Sequence, residues 1–534
     1  MLSYRKLAMR VLGRPLHTEG IDSPRPASQR AAAFILTAAM LTTLAAPAFA
    51  DIWHIENGDI TISAGESGNN VTQNNNTTYG DTNTIITNQN KDTASSHTVT
   101  IEAKDKDDKV EVTLKDVNID TSSRNKAAVS VTGEGDTNIK LDGDNALKSD
   151  IYRSGIYGSG SLTISGGEND SLTAQGGSGA NGISSSGSLT ISGGTVTANG
   201  DDGGRGISSS GSVTISGGST VTANGGSGTI SGGDGIWSGG GVTISGGSTV
   251  TANGGNGGSL VGGDGIRSGG GLTVSDGTVT AKGGNGDSKD GYGGDGIRSG
   301  GVVTISGNTV NAAGGYGGKV GGYGICSFDR VAISGGTVEA AGGNGSTGGG
   351  SGIYSSVIDL SGSLELTAKA GSPNGRALSQ NGSELKLDDI KDKLGPGAKV
   401  TATDANGETK QVSIPRPVEP EESSSSSDGG SAAPSAPASP LPGLTVTDKD
   451  GQRISYTSTQ SGNTLTVCVG RLTASLHVSL AALRQLRAEG IETIAFQTIL
   501  CSTSLSVDEL LTMGGEDAEA VLTHRFTDSS LTVG

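Results

Sequence analysis

The feature that most constrains this chain is a repeat whose units each begin with the dipeptide Gly-Ile. Eight such units open at Gly155, Gly182, Gly206, Gly235, Gly265, Gly296, Gly324 and Gly352, at spacings of 27, 24, 29, 30, 31, 28 and 28 residues. A period of this length is typical of solenoid proteins, in which each unit stacks on the next. GGDGIRSGG, at 262–270 and again at 293–301, therefore indicates a structural unit. It is not a phosphate loop, because no Gly-Lys-Ser/Thr follows it.

Each unit contains short stretches with the alternation of a β-strand. The unit from Gly235 reads GIWSGGGVTISGGSTVTANGGNGGSLVGGD, in which Val242 and Ile244 alternate with Thr243 and Ser245. Three strands of about four residues, separated by glycine pairs, cannot form hairpins and also share one apolar side. They can form three sides of a coil, each strand pairing with its equivalent in the next unit. The sequence therefore predicts an all-β fold, a parallel, right-handed β-helix solenoid.

Stacked coils predict aliphatic ladders inside the solenoid and hydroxyl ladders outside it. The residues expected in one interior column are Ile164, Ile191, Ile215, Ile244, Val274, Ile305 and Ile333. Those expected in an outer row are Thr163, Thr190, Thr214, Thr243, Thr273 and Thr304. Rungs lie about 4.8 Å apart, so neighbouring coils stabilise each other. Glycine is expected at the corners because it reaches positive φ without a Cβ clash.

Composition and flanking segments predict the domain boundaries. Only 32% of the residues are hydrophobic and 93 are glycine, which excludes a single large globular core. On both sides of the regular coils (155–378), apolar and polar residues continue to alternate, with fewer glycines between them. The β-helix is therefore expected to span 51–403. Residues 415–443 are rich in proline and serine, which is typical of a linker.

The last segment, 444–534, predicts a small α+β domain. Strand-like stretches (444–459, 464–470, 491–498 and 520–534) flank a helix that begins at Ser479 and stops at Gly490. A capping box, Ser506 with Glu509, predicts a second helix.

Residues 1–50 combine basic side chains, an apolar run and an Ala-Phe-Ala exit, which predicts a secretory signal peptide; a membrane anchor is the alternative. Its removal leaves 31 Lys and Arg against 52 Asp and Glu, a net charge of −21. Such an acidic chain repels phosphates, which excludes nucleic acid as a partner. We therefore expect a secreted or extracellular protein, in solution or at the cell surface, with no transmembrane span in the mature chain.

Side chains for catalysis or zinc binding are scarce. The histidines after residue 50 are His54, His97, His477 and His524, none of them in the regular coils. A Ser-His or Cys-His catalytic pair is therefore excluded on the shaft, and we predict that the protein is not an enzyme. Cys468 and Cys501 are expected either to form a disulfide or to remain free thiols, and Cys326 has no evident partner.

The position after each Gly-Ile predicts a column of outward side chains, because the isoleucine points inward. This column contains Tyr157, Ser184, Ser208, Trp237, Arg267, Arg298, Cys326 and Tyr354. Aromatic rings stack on sugars and arginine pairs with carboxylates of uronic acids, so the predicted carbohydrate-binding residues are Trp237, Arg267, Arg298 and Tyr354.

A second outward column, two positions before the isoleucine, contains Asp234, Asp264 and Asp295. Two alternatives to glycan binding follow from it. The two arginines could serve only to neutralise these carboxylates, since like charges on adjacent rungs repel. The three aspartates could instead hold calcium, which prefers oxygen ligands.

VEVTLKDVNID (110–120), IKLDGDNALKS (139–149) and the LTISGG and VTISGG units resemble secreted proteins of clostridial bacteria that carry a β-helical carbohydrate-binding domain. The resemblance spans roughly residues 51–400. It implies secreted or cell-surface polysaccharide binding, with calcium bound in turns of some members.

Three functions are compatible with these sequence features. The leading hypothesis is a secreted, non-catalytic protein that binds a polysaccharide or a cell-surface glycan along an extended β-helix face. The alternatives are a structural adhesin or spacer, and a β-helix polysaccharide lyase.

Overall fold

The computed structural model describes residues 51–415 and residues 443–533, apart from 449–451, 455, 462, 470, 472, 499–501, 514–518 and 526–527. The described residues form two compact units, one before residue 419 and one after residue 420. The predicted signal peptide and almost all of the predicted linker lie outside the described residues, so both stay predictions.

The first unit is a parallel β-helix with three faces, as predicted. Two long strands, Ile325–Ala341 and Ile353–Lys369, each bend through all three faces. The other first-face strands are Ile60–Gly65, Val99–Ala103, Val129–Gly133, Ile156–Gly158, Ile183–Ser185, Ile207–Ser209, Ile236–Ser238, Ile266–Ser268, Ile297–Ser299 and Leu378–Gln380.

The second and third faces are built in the same way. The second-face strands are Ile52–His54, Thr84–Thr87, Lys109–Lys115, Asp136–Asp142, Leu162–Ser165, Leu189–Ser192, Val213–Ser216, Val242–Ile244, Leu272–Val274 and Val303–Ile305. The third-face strands are Asn118–Asp120, Asp144–Lys148, Ser171–Ser178, Thr195–Asp201, Thr220–Asn224, Ser248–Asn253, Gly277–Lys282, Thr309–Ala313 and Lys399–Thr403.

The predicted ladders are confirmed. The interior column from Ile164 to Ile333 pairs rung by rung in register, and each of its side chains is fully buried. The threonines from Thr163 to Thr304 pair in the same register on the opposite side of the strands. Each buried aliphatic side chain contributes roughly 1.5–3 kcal/mol before chain entropy is subtracted, so the core is a line of stacked rungs.

The glycine-rich segments between the third face and the next coil are more regular than the sequence suggested. In the loops between residues 225 and 350, two glycine arms lie side by side and bond across coils. The N–H of Gly255 donates to the carbonyl of Gly233 in the preceding coil (2.8 Å), and the N–H of Gly263 donates to the carbonyl of Gly255 (2.8 Å). The N–H of Gly284 in the following coil donates to Gly263 (2.8 Å). These arms therefore form a second packed layer, made of backbone.

The predicted need for positive φ explains the glycines at only some corners. The Ser-Gly-Gly turn before the third face needs positive φ, as at Gly246 (64°) and Gly247 (72°). In the arms, Gly263 has ordinary φ, but a Cβ there would collide with the carbonyl oxygen of Gly233. Close backbone approach is the reason for glycine in the arms.

The two ends of the solenoid are irregular. At the start, Gly68–Gln73 and Asn76–Asp81 add antiparallel strands beside Ile60–Gly65, and a 3₁₀ helix spans Ile55–Asn57. In the last coil a 3₁₀ helix, Leu387–Lys393, takes the place of a second-face strand, and its Ile390 is buried in the core. Two short antiparallel strands, Ser383–Glu384 and Thr409–Ser413, complete this end, the second lying beyond the predicted limit at 403.

The described residues of the second unit form two four-stranded sheets and two helices, which confirms the predicted α+β domain. One sheet holds Leu444–Thr447, Thr473–Ser479, Glu519–Arg525 and Asp528–Val533; the other holds Thr457–Ser461, Thr464–Cys468, Thr493–Gln497 and Ser502–Ser506. The helix Leu480–Ala488 begins one residue later than predicted, because Ser479 is its N-cap: Ser479 Oγ accepts the N–H of Ala482 (3.2 Å), and the helix ends before Gly490. The second helix is Val507–Met513. The strands Thr473–Ser479 and Ser502–Ser506 were not predicted.

Candidate functional site

The strand register places the predicted outward column on adjacent rungs of the first face. Trp237 pairs with Arg267, and Arg267 pairs with Arg298. Cys326 and Tyr354 continue the column. Cys326 differs from its neighbours because it is buried, and burial raises the pKa of its thiol to about 12.

The aspartate column does not point outward as expected. Asp234, Asp264 and Asp295 are 7%, 5% and 4% exposed. Their side chains turn along the coil edge, where they accept backbone N–H groups of the following coil. Asp264 N–H donates to Asp234 Oδ1 (2.9 Å), Asp295 N–H to Asp264 Oδ1 (2.7 Å) and Tyr323 N–H to Asp295 Oδ1 (2.7 Å). The carboxylates therefore tie successive coils together.

The second oxygen of each carboxylate faces an arginine. Arg298 lies 3.3 Å from Asp295 Oδ2, and Arg267 lies 3.9 Å from Asp264 Oδ2. Asp234 pairs with Arg205 (3.2 Å), which the sequence analysis missed. Arg205 occupies the aspartate position of its own coil and reaches the next one. This geometry favours the neutralising role of the arginines over a role in which they are free for a ligand.

Burial lowers the acidity of two of these carboxyl groups, those of Asp264 and Asp295. Burial, together with the charges of Asp295 and Asp234, raises the pKa of Asp264 well above its usual value. Burial also raises the pKa of Asp295, to about 6, against the opposing effect of a backbone hydrogen bond and of Arg298. Ionisation of Asp264 and Asp295 is therefore costly, which explains why each of these two carboxyl groups has an arginine beside it.

The aspartate column is a poor match for calcium. In Asp264 and Asp295, one oxygen already accepts a backbone N–H and the other faces an arginine. Over the described ranges, no three His, Cys, Asp or Glu side chains are arranged to hold a metal ion. Calcium binding by these residues stays a prediction.

The aromatic members of the predicted site are partly covered. The guanidinium of Arg205 lies over the Trp237 ring, 4.4 Å from its centroid. Tyr354 stacks on Tyr323 with ring centroids 5.0 Å apart. Each ring therefore has one face occupied by another side chain of the protein.

The predicted arginines and aspartates line a groove of about 840 Å³, here called the arginine groove. Its other residues include Arg205, Tyr292, Tyr323 and the glycine arms, whereas Trp237 and Tyr354 are not among them. Tyr292 is 42% exposed and lies under the ammonium group of Lys319, 5.6 Å from the ring centroid.

A second depression, of about 690 Å³, adjoins the first, and the two share Gly179 and Asn181. This tyrosine cleft is lined by Tyr152, Tyr157, Arg153, Lys126 and the first-face hydroxyls of Thr100, Ser130, Thr132 and Ser184. Tyr157 belongs to the predicted outward column but is not among the predicted carbohydrate-binding residues. Tyr152 and Arg153 precede the first regular unit. An aromatic residue next to a basic one, just before Gly155, is the sequence feature that could have indicated this cleft.

Comparisons of the chain with models of protein families, with curated proteins and with solved structures find no match. Within the described residues, no helix is both long and apolar enough to cross a membrane. Cys501 lies outside the described residues, so its pairing with Cys468 stays a prediction.

Proposed function

We propose that the protein is a secreted or cell-surface, non-catalytic polysaccharide-binding protein, which holds an extended glycan in the tyrosine cleft and the arginine groove. The observation that carries this proposal is the continuity of the two depressions along the first face. From the rung of Thr100 to that of Cys326 there are eight steps. At about 4.8 Å a step this is roughly 40 Å, enough for several sugar rings in a row.

The lining of the groove also supports a glycan. Polysaccharides present hydroxyl groups and flat apolar ring faces, which match hydroxyl and amide side chains interspersed with tyrosine rings. The tyrosine cleft offers this mixture in Tyr152, Tyr157, Ser130, Ser184 and Asn181. A rigid shaft keeps these groups in place, so little ordering is needed when the glycan binds.

Binding without catalysis is proposed because the charged residues of the arginine groove are engaged with each other. A calcium-dependent lyase needs a basic group that is free and that lies beside the carboxylates holding the metal. Arg205, Arg267 and Arg298 instead each face an aspartate.

The test is binding of the purified protein to an array of plant, host and bacterial polysaccharides, followed by affinity measurements for the best ligand. Tyr157→Ala should weaken binding about tenfold, which corresponds to about 1.4 kcal/mol. Tyr79→Ala is the matched control, because Tyr79 is 77% exposed and lines neither depression.

Failure to bind any polysaccharide would refute the proposal and favour the structural adhesin or spacer. Equal loss of affinity in the two tyrosine variants would place binding elsewhere. Release of unsaturated uronates from pectin, followed by ultraviolet absorbance, would show lyase activity instead.

A further inference from the structure

Tyr157 has an unusually open ring for a residue of the first face. Its register partners on the adjacent rungs are Ser130 and Ser184, both small. Tyr157 is 43% exposed. Trp237, in contrast, has Arg205 over its ring. Tyr157 is therefore the member of the column with room for a sugar against its face.

Arg153 differs from the arginines of the arginine groove because it is exposed and has no carboxylate at ion-pair distance within the described part of the chain. Its side chain makes one hydrogen bond, from Nε to Asn125 Oδ1 (3.3 Å). The two terminal nitrogens of its guanidinium therefore remain available to a ligand in the same cleft.

The lining of the tyrosine cleft carries a surplus of positive charge. Lys126 and Arg124 share a single carboxylate, Asp59, at 3.0 and 2.7 Å. The acid nearest in sequence, Asp150, accepts the backbone N–H groups of Asn125 (2.5 Å) and Ile151 (2.7 Å). Of the residues that line the cleft, Lys126 and Arg153 are cationic and none is acidic. On a chain whose overall charge is −17, such a local surplus favours an anionic group at this place.

We infer that the tyrosine cleft binds an anionic sugar residue, with its ring on Tyr157 and its carboxylate or sulfate group on the guanidinium of Arg153. This inference rests on the proposed function and specifies its substrate class. The planar guanidinium suits either anion, because two parallel N–H donors match two oxygens of a carboxylate or a sulfate. Lys126 adds a second positive charge on the same cleft.

The test compares polymers that differ in charge alone. Polygalacturonate is compared with its carboxyl-reduced form, and dextran sulfate with dextran, at low and physiological salt. The protein should bind at least one anionic polymer tenfold or more tightly than its neutral counterpart. The difference should shrink with added salt, because the cleft is open to solvent. The two pairs distinguish carboxylate from sulfate.

Arg153→Gln should reduce the ratio of affinities for the anionic and the neutral polymer from tenfold or more to about one, and Arg153→Lys should retain part of the preference. Arg330→Gln is the control, because Arg330 is exposed but lines neither depression. Equal thermal unfolding of the variants checks their folding.

Equal binding of anionic and neutral polymers would overturn the inference and leave the proposed function standing. An anionic preference that survives in Arg153→Gln would also overturn it. Absence of binding to any polysaccharide would overturn both proposals.

Discussion

The glycine arms give a prediction that depends on backbone packing alone. Gly350 lies in the last complete pair of arms, and a Cβ there would collide with the carbonyl oxygen of Gly322. Its N–H donates to Gly343 (2.8 Å) and its carbonyl accepts from Gly371 (2.8 Å). Overpacking costs about 1–3 kcal/mol and each disturbed hydrogen bond about 0.5–1.5 kcal/mol. Gly350→Ala should therefore lower the free energy of unfolding by roughly 2–6 kcal/mol.

Gly348→Ala, in the same loop, is the matched control. The nearest atoms to a Cβ at Gly348 are Val320 methyl carbons at 3.9 Å, and its φ is ordinary. This variant should change stability by less than about 1 kcal/mol, and in the stabilising direction, because alanine restricts the unfolded chain. The assay is urea unfolding followed by circular dichroism. Equal unfolding midpoints for the two variants would refute the packing role of the arms.

Two further predictions concern buried titratable groups. Because burial raises the pKa of the Cys326 thiol to about 12, iodoacetamide at about pH 8 should alkylate this thiol only after denaturation. Mass spectrometry of the peptide that contains Cys326 measures the alkylation. Rapid alkylation of the folded protein would contradict the burial of Cys326. The pKa values of Asp264 and Asp295 are raised on folding, the second to about 6, so the free energy of unfolding should fall as pH rises from about 4 through about 6. Asp264→Asn should flatten that fall, and an unchanged pH dependence in this variant would show that Asp264 does not titrate with a raised pKa.

The sequence was sufficient to predict the aliphatic and threonine ladders, because a two-residue period inside a repeat determines both which side chains point inward and which rungs pair. Ile244 and Thr243 illustrate this: their roles follow from alternation alone. The register of Trp237, Arg267 and Arg298 followed from the same repeat.

The glycine arms could not be predicted in the same way. A run such as NGGNGG shows that side chains are absent, but not which carbonyl the backbone approaches. Gly263 illustrates the difference, since its φ is ordinary and its neighbour Gly233 belongs to the preceding coil.

The candidate site was predicted only in part for a similar reason. The sequence placed Asp234 in the correct column, but its burial and its bond to Arg205 depend on how side chains turn at the coil edge. The tyrosine cleft was missed because Tyr152 and Arg153 lie outside the regular units, where the repeat assigns no position.

The most direct test of the central claim, that the groove on the first face holds the glycan, is hydroxyl-radical footprinting of the protein with and without its best polysaccharide ligand. Tyrosine oxidation is read by mass spectrometry. The account predicts that the glycan protects Tyr157 and Tyr292, which line the two depressions, and leaves Tyr79 unchanged. Protection of Tyr79 with continued oxidation of Tyr157 and Tyr292 would contradict it.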